Sequence, residues 1–346
     1  MVLRVLTVLG GGRSGGAEAF YVSLTLALAR SGMAVHTALK HNDQRETTFR
    51  TAGIDYDTAR FGKHLDFSTG SKLRRVARGF RPDIVLSFAG RASAMMPVGN
   101  YTLIGRLGGY YSLKNFARCD DIVCNTPDLV RYVVEGGWPE ERVFHIPNFP
   151  NIESGEPVDR ASLQTPKDVP LVLSLGRLHP NKAFDVLLRA AARVPNLWVW
   201  IAGEGDERRK LEALARKLGV DNRVKFLGWR NDKAGLFKAA DLCVYPSRRE
   251  PFGNVVVEAW GYGVPLVTTA STGPKWLVRD REDGLLTPVD DDAALAEGIR
   301  TIIDSPALAR KMVENGRRRI VADFSEQAIV DQYGALFQRV RPKQEN

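Results

Sequence analysis

Cysteine is scarce: Cys119, Cys124 and Cys243 are the only three in 346 residues. An odd number cannot all pair, and none stands in a CxxC or Cys/His spacing that would hold zinc. A disulfide scaffold and a structural zinc site are therefore not expected, and the thiols should pack as small apolar groups in a reducing compartment. No apolar run approaches the roughly 18 residues that span a bilayer. The apolar stretch in Met1–Leu9 is too short for a signal peptide and runs into Gly10–Gly12, Arg13 and Glu18 without an Ala-x-Ala-like cleavage site. A cytoplasmic protein is expected. Aromatic residues do not interleave with the basic ones, and no reader motif occurs, so no nucleic-acid partner is expected. Glycine (32) and proline (18) are near average usage, which excludes collagen-like and low-complexity chains.

What is present is an ordinary globular composition, 44% hydrophobic and 26% charged. The length suggests two domains at roughly 150 residues each. The net charge is +9, of which residues 1–150 carry +6 (19 basic, 13 acidic). That excess suits an anionic partner such as an acidic membrane or a phosphorylated glycolipid, or serves solubility alone.

Leu3–Leu9, apolar except for Arg4 and Thr7 and closed by glycines, shows the pattern of a strand buried on both faces. A helical period follows over Ala19–Arg30. Further strands are expected at Ala34–Leu39, Ile54–Phe61, Ile84–Phe88 and Asp121–Asn125, with helices at Ser71–Phe80 and Pro127–Glu135. Four prolines and four acidic residues within Asn148–Pro170 then interrupt the pattern. It restarts at Leu171–Leu175 and alternates strand and helix to a terminal helix from Glu326. Such alternation predicts βαβ units and parallel sheets. The expected domains are 1–150, a linker 151–170, a second domain 171–325, and a terminal helix 326–346 packing back on the first domain. In open parallel sheets ligands bind beyond the carboxyl ends of the strands. Two facing Rossmann-like domains would place both sets of loops on one interdomain cleft.

Ser247–Ala259 reads SRREPFGNVVVEA and passes from a strand into a helix. Helix-start N–H groups lack partners and favour an anion. Glu250 and Glu258, eight residues apart, are placed to hold hydroxyls at two ends of one polyol. Glu258 lies among Val255–Val257, Ala259 and Trp260, so its carboxylate requires a partner. Past another buried strand, Arg177 and Lys182 stand five apart on one loop, a fork and a point charge suited to a diphosphate.

These stretches resemble the retaining nucleotide-sugar glycosyltransferases of family 4, which have the GT-B fold. The family's E-x7-E motif matches Glu250 through Glu258. Gly15-Gly16-Ala17-Glu18, Gly176-Arg177-Leu178 with Lys182, Gly203-Glu204-Gly205 and Asp283-Gly284-Leu285-Leu286 extend the likeness along the chain. The resemblance implies a donor nucleoside diphosphate sugar, carrying uracil or guanine, and no metal or resident cofactor. It implies that Arg177 and Lys182 hold the diphosphate, Glu250 the sugar and Glu258 the ribose. Phe252, Gly253, Asn254 and Val255 would line the sugar pocket, and Glu204 with Phe226–Arg230 would flank the base. Gly15 and Gly16 would lie by the donor. Where the family has Lys-Gly, this chain has Lys182-Ala183. Where many members have a histidine, after the strand at Ile84–Phe88, it has Arg91, which faces an anionic acceptor or simply begins a helix.

Gly108–Lys114 (GGYYSLK), with Trp138-Pro139 and Ile146–Phe149, looks like bacterial enzymes that build lipopolysaccharide core or related envelope glycans. It places Tyr110 with Arg91 on the acceptor side, the acceptor being a glycolipid or polysaccharide. Five cations over Ser71–Arg81 form either a contact with the inner face of the cytoplasmic membrane or a solvated helix face. Gly10–Gly15 satisfies G-x-G-x-x-G, but no acidic residue closes a strand near Ala34–Leu39, which argues against a nicotinamide cofactor. Asp55-Tyr56-Asp57 has the letters of a D-x-D metal motif without a surrounding ligand cage. Two rival functions stay open at this stage. They are a nucleotide-sugar 2-epimerase on the same scaffold and a non-catalytic basic binding module.

Overall fold

Apolar runs without polar interruption need burial on both faces, the condition of a parallel strand covered by helices above and below. In the computed structural model, which describes residues 2–12, 15–62 and 66–340, two such sheets form. The chain divides into two units, Met1–Phe149 with Ser325–Asn346, and Pro150–Phe324.

The strands of the first unit are β1 (Arg4–Leu9), β2 (Ala34–Lys40), β3 (Tyr56–Ala59), β4 (Ile84–Phe88), β5 (Thr102–Leu107), β6 (Asp121–Cys124) and β7 (Val143–His145). They pair in the order β3-β2-β1-β4-β5-β6-β7, every neighbour parallel. The connecting helices are α1 (Gly16–Arg30), α2 (Asp43–Thr51), α3 (Phe67–Phe80), α4 (Ala89–Met95) and α5 (Pro127–Glu135). The strand order reverses between β1 and β4, so the glycine loop after β1 opens at a topological switch point.

The second unit repeats the design. Its strands are β8 (Leu171–Leu175), β9 (Trp198–Ala202), β10 (Val224–Gly228), β11 (Leu242–Tyr245), β12 (Leu266–Thr269) and β13 (Leu285–Thr287), in the order β10-β9-β8-β11-β12-β13. Its helices are α6 (Phe184–Arg193), α7 (Arg208–Lys217), α8 (Lys233–Ala239), α9 (Asn254–Tyr262), α10 (Thr272–Leu277), α11 (Asp292–Ile303) and α12 (Pro306–Asp323). Here the order reverses between β8 and β11.

The proline-rich segment 151–170 has no apolar period, yet it is fixed to the second unit by side-chain hydrogen bonds. Arg160 donates to the Ala239 carbonyl at 2.9 and 2.7 Å and to Asp241 Oδ1 at 2.9 Å. Trp200, fully buried, donates its indole N–H to Thr165 Oγ1 at 2.9 Å. These contacts join residues distant in sequence, which periodicity does not reveal. The three thiols are buried and free; burial pushes those of Cys119 and Cys124 up to about 12, so they are inert neutral groups.

The last helix, α13 (Glu326–Val340), returns to the first unit. Ile329, Val330, Tyr333, Leu336 and Phe337 join the core beneath α1 and β1. Arg30 forks onto Glu326 at 2.7 to 3.1 Å, and Thr102 Oγ1 donates to the Val340 carbonyl at 2.6 Å. Phe337 is fully buried. Phe337→Ala should therefore cost about 3–5 kcal/mol of first-unit stability, measured by urea unfolding. A loss below about 1 kcal/mol would mean that α13 is not part of that core.

Candidate active site

Neighbouring strands at a switch point send their following helices to opposite faces, so the two loops part and leave a crevice. In the second unit the loops concerned follow β8 and β11, which pair at Leu242↔Val172 and Cys243↔Leu173. The first carries Arg177 and Lys182; the second carries Glu250 and leads into α9.

Lys182 Nζ forms an ion pair with Glu250 Oε2 and donates to the Tyr245 hydroxyl at 2.7 Å. Tyr245, the last residue of β11, in turn donates to Glu250 Oε2. The lysine nitrogen also lies 5.0 Å from the Tyr245 ring centroid. Burial first, then the neighbouring Glu250 carboxylate, hold the tyrosine hydroxyl far above its ordinary value. Tyr245 is thus fixed as a neutral donor under the carboxylate. Lys182 and Glu250 side chains keep 23% and 16% exposure, so the pair stands at the surface of the crevice and can be reached.

Arg248 positions both loops. Its guanidinium takes both oxygens of Asp185 at 2.9 and 2.8 Å, the Pro180 carbonyl at 2.7 Å and the Asp290 carboxylate. Its backbone N–H donates to the Asn181 carbonyl at 2.8 Å. Asp185 opens α6, so this fork ties the loop after β11 to the loop and helix start after β8. Burial raises the Asp185 pKa, but the bonds to Arg248 and Arg189 outweigh it and leave the carboxyl below its usual range.

Ala183 explains the family's glycine at its position. It takes φ +51°, ψ +36°, the left-handed conformation, as the N-cap of α6. A side chain there costs about 1–2 kcal/mol relative to glycine. The methyl is tolerated because it is fully buried among the core of α6.

The glycines of the neighbouring loop permit close backbone contact. Gly203 has φ +153°, and a β-carbon on it would stand 1.9 Å from the Gly176 carbonyl oxygen. Gly176 N–H donates to Ala202 at 3.0 Å, Leu178 N–H to Glu204 at 2.9 Å and Gly203 N–H to Gly228 at 2.8 Å. The Arg177 loop, the Gly203–Gly205 turn and the end of β10 are therefore one hydrogen-bonded layer. Arg177 is exposed on it. Glu204, half exposed, takes Arg208 at 2.9 Å.

Glu258 finds the partner that its apolar setting requires. Lys233, the first residue of α8, donates to Glu258 Oε1 at 2.6 Å. Burial lowers the Lys233 pKa, but the charge of Glu258 and the hydrogen bond to it outweigh this and leave it raised. Phe252 is buried, and Gly253 at φ +102° starts α9 with Asn254 and Val255 half-buried at its first turn. The Gly273 N–H donates to the Glu250 carbonyl at 2.8 Å, and the Gly273 α-carbon packs so closely on Phe252 that a β-carbon would meet its oxygen at 2.2 Å.

The remaining candidates belong to the first unit. Gly15 caps α1 and Gly16 begins it. The Glu18 carboxylate turns back over this loop and accepts the Gly12 N–H at 2.9 Å. Arg13 and Ser14 lie outside the described residues. Arg91 stands beside Gly10 and donates to the Phe61 carbonyl at 3.0 Å. Tyr110 is half exposed, donates to Asp128 and packs edge-on against Tyr132 at 5.3 Å. Asp57 of the D-x-D letters pairs with His36 at 3.1 Å. Asp291 caps α11 through the Ala294 N–H at 2.8 Å, while Asp290 serves Arg248.

Tyr245, Arg248, Asp185 and Lys233 were not singled out from sequence. Each acts through a partner on another segment, and none stands in a motif that announces it. Only the apolar setting of Glu258 signalled that a partner must approach, and Lys233 is that partner.

A family profile described as glycosyl transferases group 1 matches residues 156–319. The chain is 37% identical over 337 residues to the lipopolysaccharide core biosynthesis glycosyltransferase LpsE of Rhizobium meliloti, covering 93% of this chain and 95% of that protein. It is 36% identical to LpsD of the same organism, covering 95% and 96%. Among solved structures, Anabaena HepE with UDP and glucose superposes with a TM-score of 0.85 at 22% identity, covering 98% and 100%. WaaG, involved in lipopolysaccharide biosynthesis, gives 0.73 at 18%, covering 97% and 99%. The two doubly wound sheets and these neighbours make the fold GT-B.

The Arg248 fork yields a test of loop positioning. Asp185 with its lowered pKa adds stability above the ordinary carboxylate range, and that stability is lost as pH falls through the native value. Arg248→Ala should cost about 1–2 kcal/mol at pH 7, and the cost should shrink as the pH approaches 2. Urea unfolding across that range measures it. A cost independent of pH would show that the ion pair does not hold the two loops.

Proposed function

Because the chain belongs to the group 1 glycosyl transferases, we propose that it is a retaining family 4 enzyme using a nucleoside diphosphate sugar. Its acceptor is a glycan of the lipopolysaccharide core or a related envelope glycolipid. The meeting of Lys182 with Glu250 at the switch point carries this reading. It sets a phosphate-seeking cation in direct contact with a hydroxyl-seeking carboxylate, two groups that one nucleotide sugar would engage together. That the two Rhizobium relatives are lipopolysaccharide core biosynthesis glycosyltransferases supports the acceptor class.

In the resting protein Lys182 is neutralised by Glu250. A donor diphosphate takes over the ammonium, aided by Arg177 and by the positive end of the α9 dipole. Glu250, kept in place by Tyr245, then accepts hydrogen bonds from the sugar hydroxyls. Glu258 serves the ribose hydroxyls, and the layer containing Glu204 and Gly228 borders the base. Phe252–Val255 form the wall along the sugar.

In the transfer, the acceptor oxygen bonds to the anomeric carbon on the face from which the diphosphate departs. The carbon–oxygen bond to phosphate breaks, and the acceptor proton passes to a departing phosphate oxygen. No strong protein base is needed. Positioning and charge stabilisation of the leaving group do the catalytic work, and the two cations supply that charge without a metal. The exposed Arg74, Arg75 and Arg78 on α3 suit an anionic membrane surface, where a lipid-linked acceptor would be met.

Three measurements decide the reading. UDP or GDP should raise the melting temperature, and whichever does so identifies the base; no response to any nucleotide or nucleotide sugar would overturn the donor site. Arg177→Ala with Lys182→Ala should lower kcat by at least about 10³-fold with unchanged far-ultraviolet circular dichroism. Near-normal turnover would remove both cations from the mechanism. An α-linked product from an α-linked donor, read from the anomeric proton coupling, establishes retention, and a β product rejects it.

A further inference from the structure

Arg106 is a buried cation among neutral partners. It lies near the carboxyl end of β5 with 2% exposure. Its Nε donates to the Tyr333 hydroxyl at 3.1 Å, and Nη2 donates to Asn148 Oδ1. The guanidinium carbon lies over the rings of Phe20 and Phe88, at 4.3 and 5.5 Å from their centroids. None of these partners, among the described residues, carries a negative charge. Buried arginine is ordinarily matched by a carboxylate or phosphate, because removing the cation from water is costly.

The nitrogen left over, Nη1, borders Gly108. A β-carbon on Gly108 would stand 3.5 Å from Nη1 and 3.8 Å from Asn125 Nδ2. Asn125, at the end of β6, is itself 2% exposed, and its Oδ1 receives no hydrogen bond among the described residues. Strands β5 and β6 run parallel with Leu107 opposite Cys124, so both side chains meet at the carboxyl edge of the sheet. An unspent donor on a cation and the Asn125 amide, whose nitrogen faces Gly108 and whose oxygen is unspent, thus border the space beside this glycine. Neither is used by the donor site in the second unit.

From this we infer that the recess at Gly108 binds an oxyanion adjoining a hydroxyl, that is, a carboxylate or phosphate carried on a sugar. Arg106 Nη1 donates to the oxyanion, and the Asn125 amide, whose Nδ2 faces the recess, donates to the adjoining hydroxyl oxygen. Resting on the glycosyl-transfer reading, this ligand is part of the acceptor, and the site selects acidic sugars over neutral ones. The +6 charge of residues 1–150 draws such ligands to this unit.

Thermal melting of the full chain tests this with glucuronate, mannose 6-phosphate and neutral mannose at matched ionic strength. At ten times its Kd an acidic sugar should raise the melting temperature by roughly 2–4 °C, while mannose should not. The acid giving the larger rise identifies the anionic group. Gly108→Ala, whose methyl fits at ordinary contact distance, should fold normally and lose the response. Asn125→Asp supplies an internal carboxylate, so the free protein should melt higher and also lose the response. Lys182→Ala should keep it, since that residue lies in the other unit. Equal shifts with mannose, no shift with either acid, or an undiminished response in Gly108→Ala would each overturn the assignment. Failure of the donor reading shows instead as absent nucleotide binding with this response intact.

Discussion

Lys182 and Glu250 reach each other because β8 and β11 are neighbours while the chain between them runs through β9 and β10. Sixty-eight residues of sequence are closed into one contact by the strand order. The closure is enforced from beneath by Tyr245 and from the side by Arg248. Tyr245 is buried and cannot ionise, so its hydroxyl has one stable role, bridging the ammonium and the carboxylate. Arg248 cannot deprotonate and spends its planar fork on Asp185, which fixes distance and orientation together. An ion pair built only from two flexible side chains would wander; this one is set on three backbones.

Close backbone approach is the second constraint. The layer running from Gly176 through Gly203 to Gly228 places main-chain groups where a side chain would collide, as the 1.9 Å approach at Gly203 shows. Such a layer is rigid without being bulky, which leaves room above it for a planar or charged ligand. The left-handed Ala183 belongs to the same economy of space. Its strain is confined to one residue and offset by burial of the methyl in the α6 core.

Much of this was readable in advance, for a physical reason. Strands such as β1 and β8 are mostly apolar, with only Arg4, Thr7 and Ser174 polar, because both their faces are buried, and glycines mark where they stop. The paired acids and cations stood out because their loops follow such strands. Strand β5 did not stand out, since Thr-Leu-Ile-Gly-Arg-Leu is broken by a glycine and a cation. The structure gives the cause of each. A side chain at Gly105 would collide with Phe116 and Cys119, and Arg106 is held inside by aromatic faces and hydroxyl and amide oxygens. The three-residue strands β7 and β13 are too short to show a period, and α2 buries only Arg45 and Phe49 of nine residues. Partners such as Lys233 and Asp185 were invisible because a hydrogen bond between distant segments leaves no local pattern.

The donor-side loops of the second unit and Arg106 of the first hold their cations in opposite states, and this sets how each responds to an anion. In the second unit Lys182, Lys233 and Arg248 are already paired with Glu250, Glu258 and Asp185. A diphosphate arriving there must exchange with a carboxylate. On the proposed donor reading, the freed carboxylate would turn to the ligand's hydroxyls, so the exchange would lose little and gain selectivity for a molecule bearing both groups. In the first unit Arg106 has already left water and meets only neutral oxygens and aromatic faces. An anion reaching it finds the desolvation of the cation done during folding, and the whole of the new charge pairing counts toward binding. Folding has therefore stored in β5 a cost that only a charged ligand recovers, which is why a neutral sugar of the same shape would gain little there.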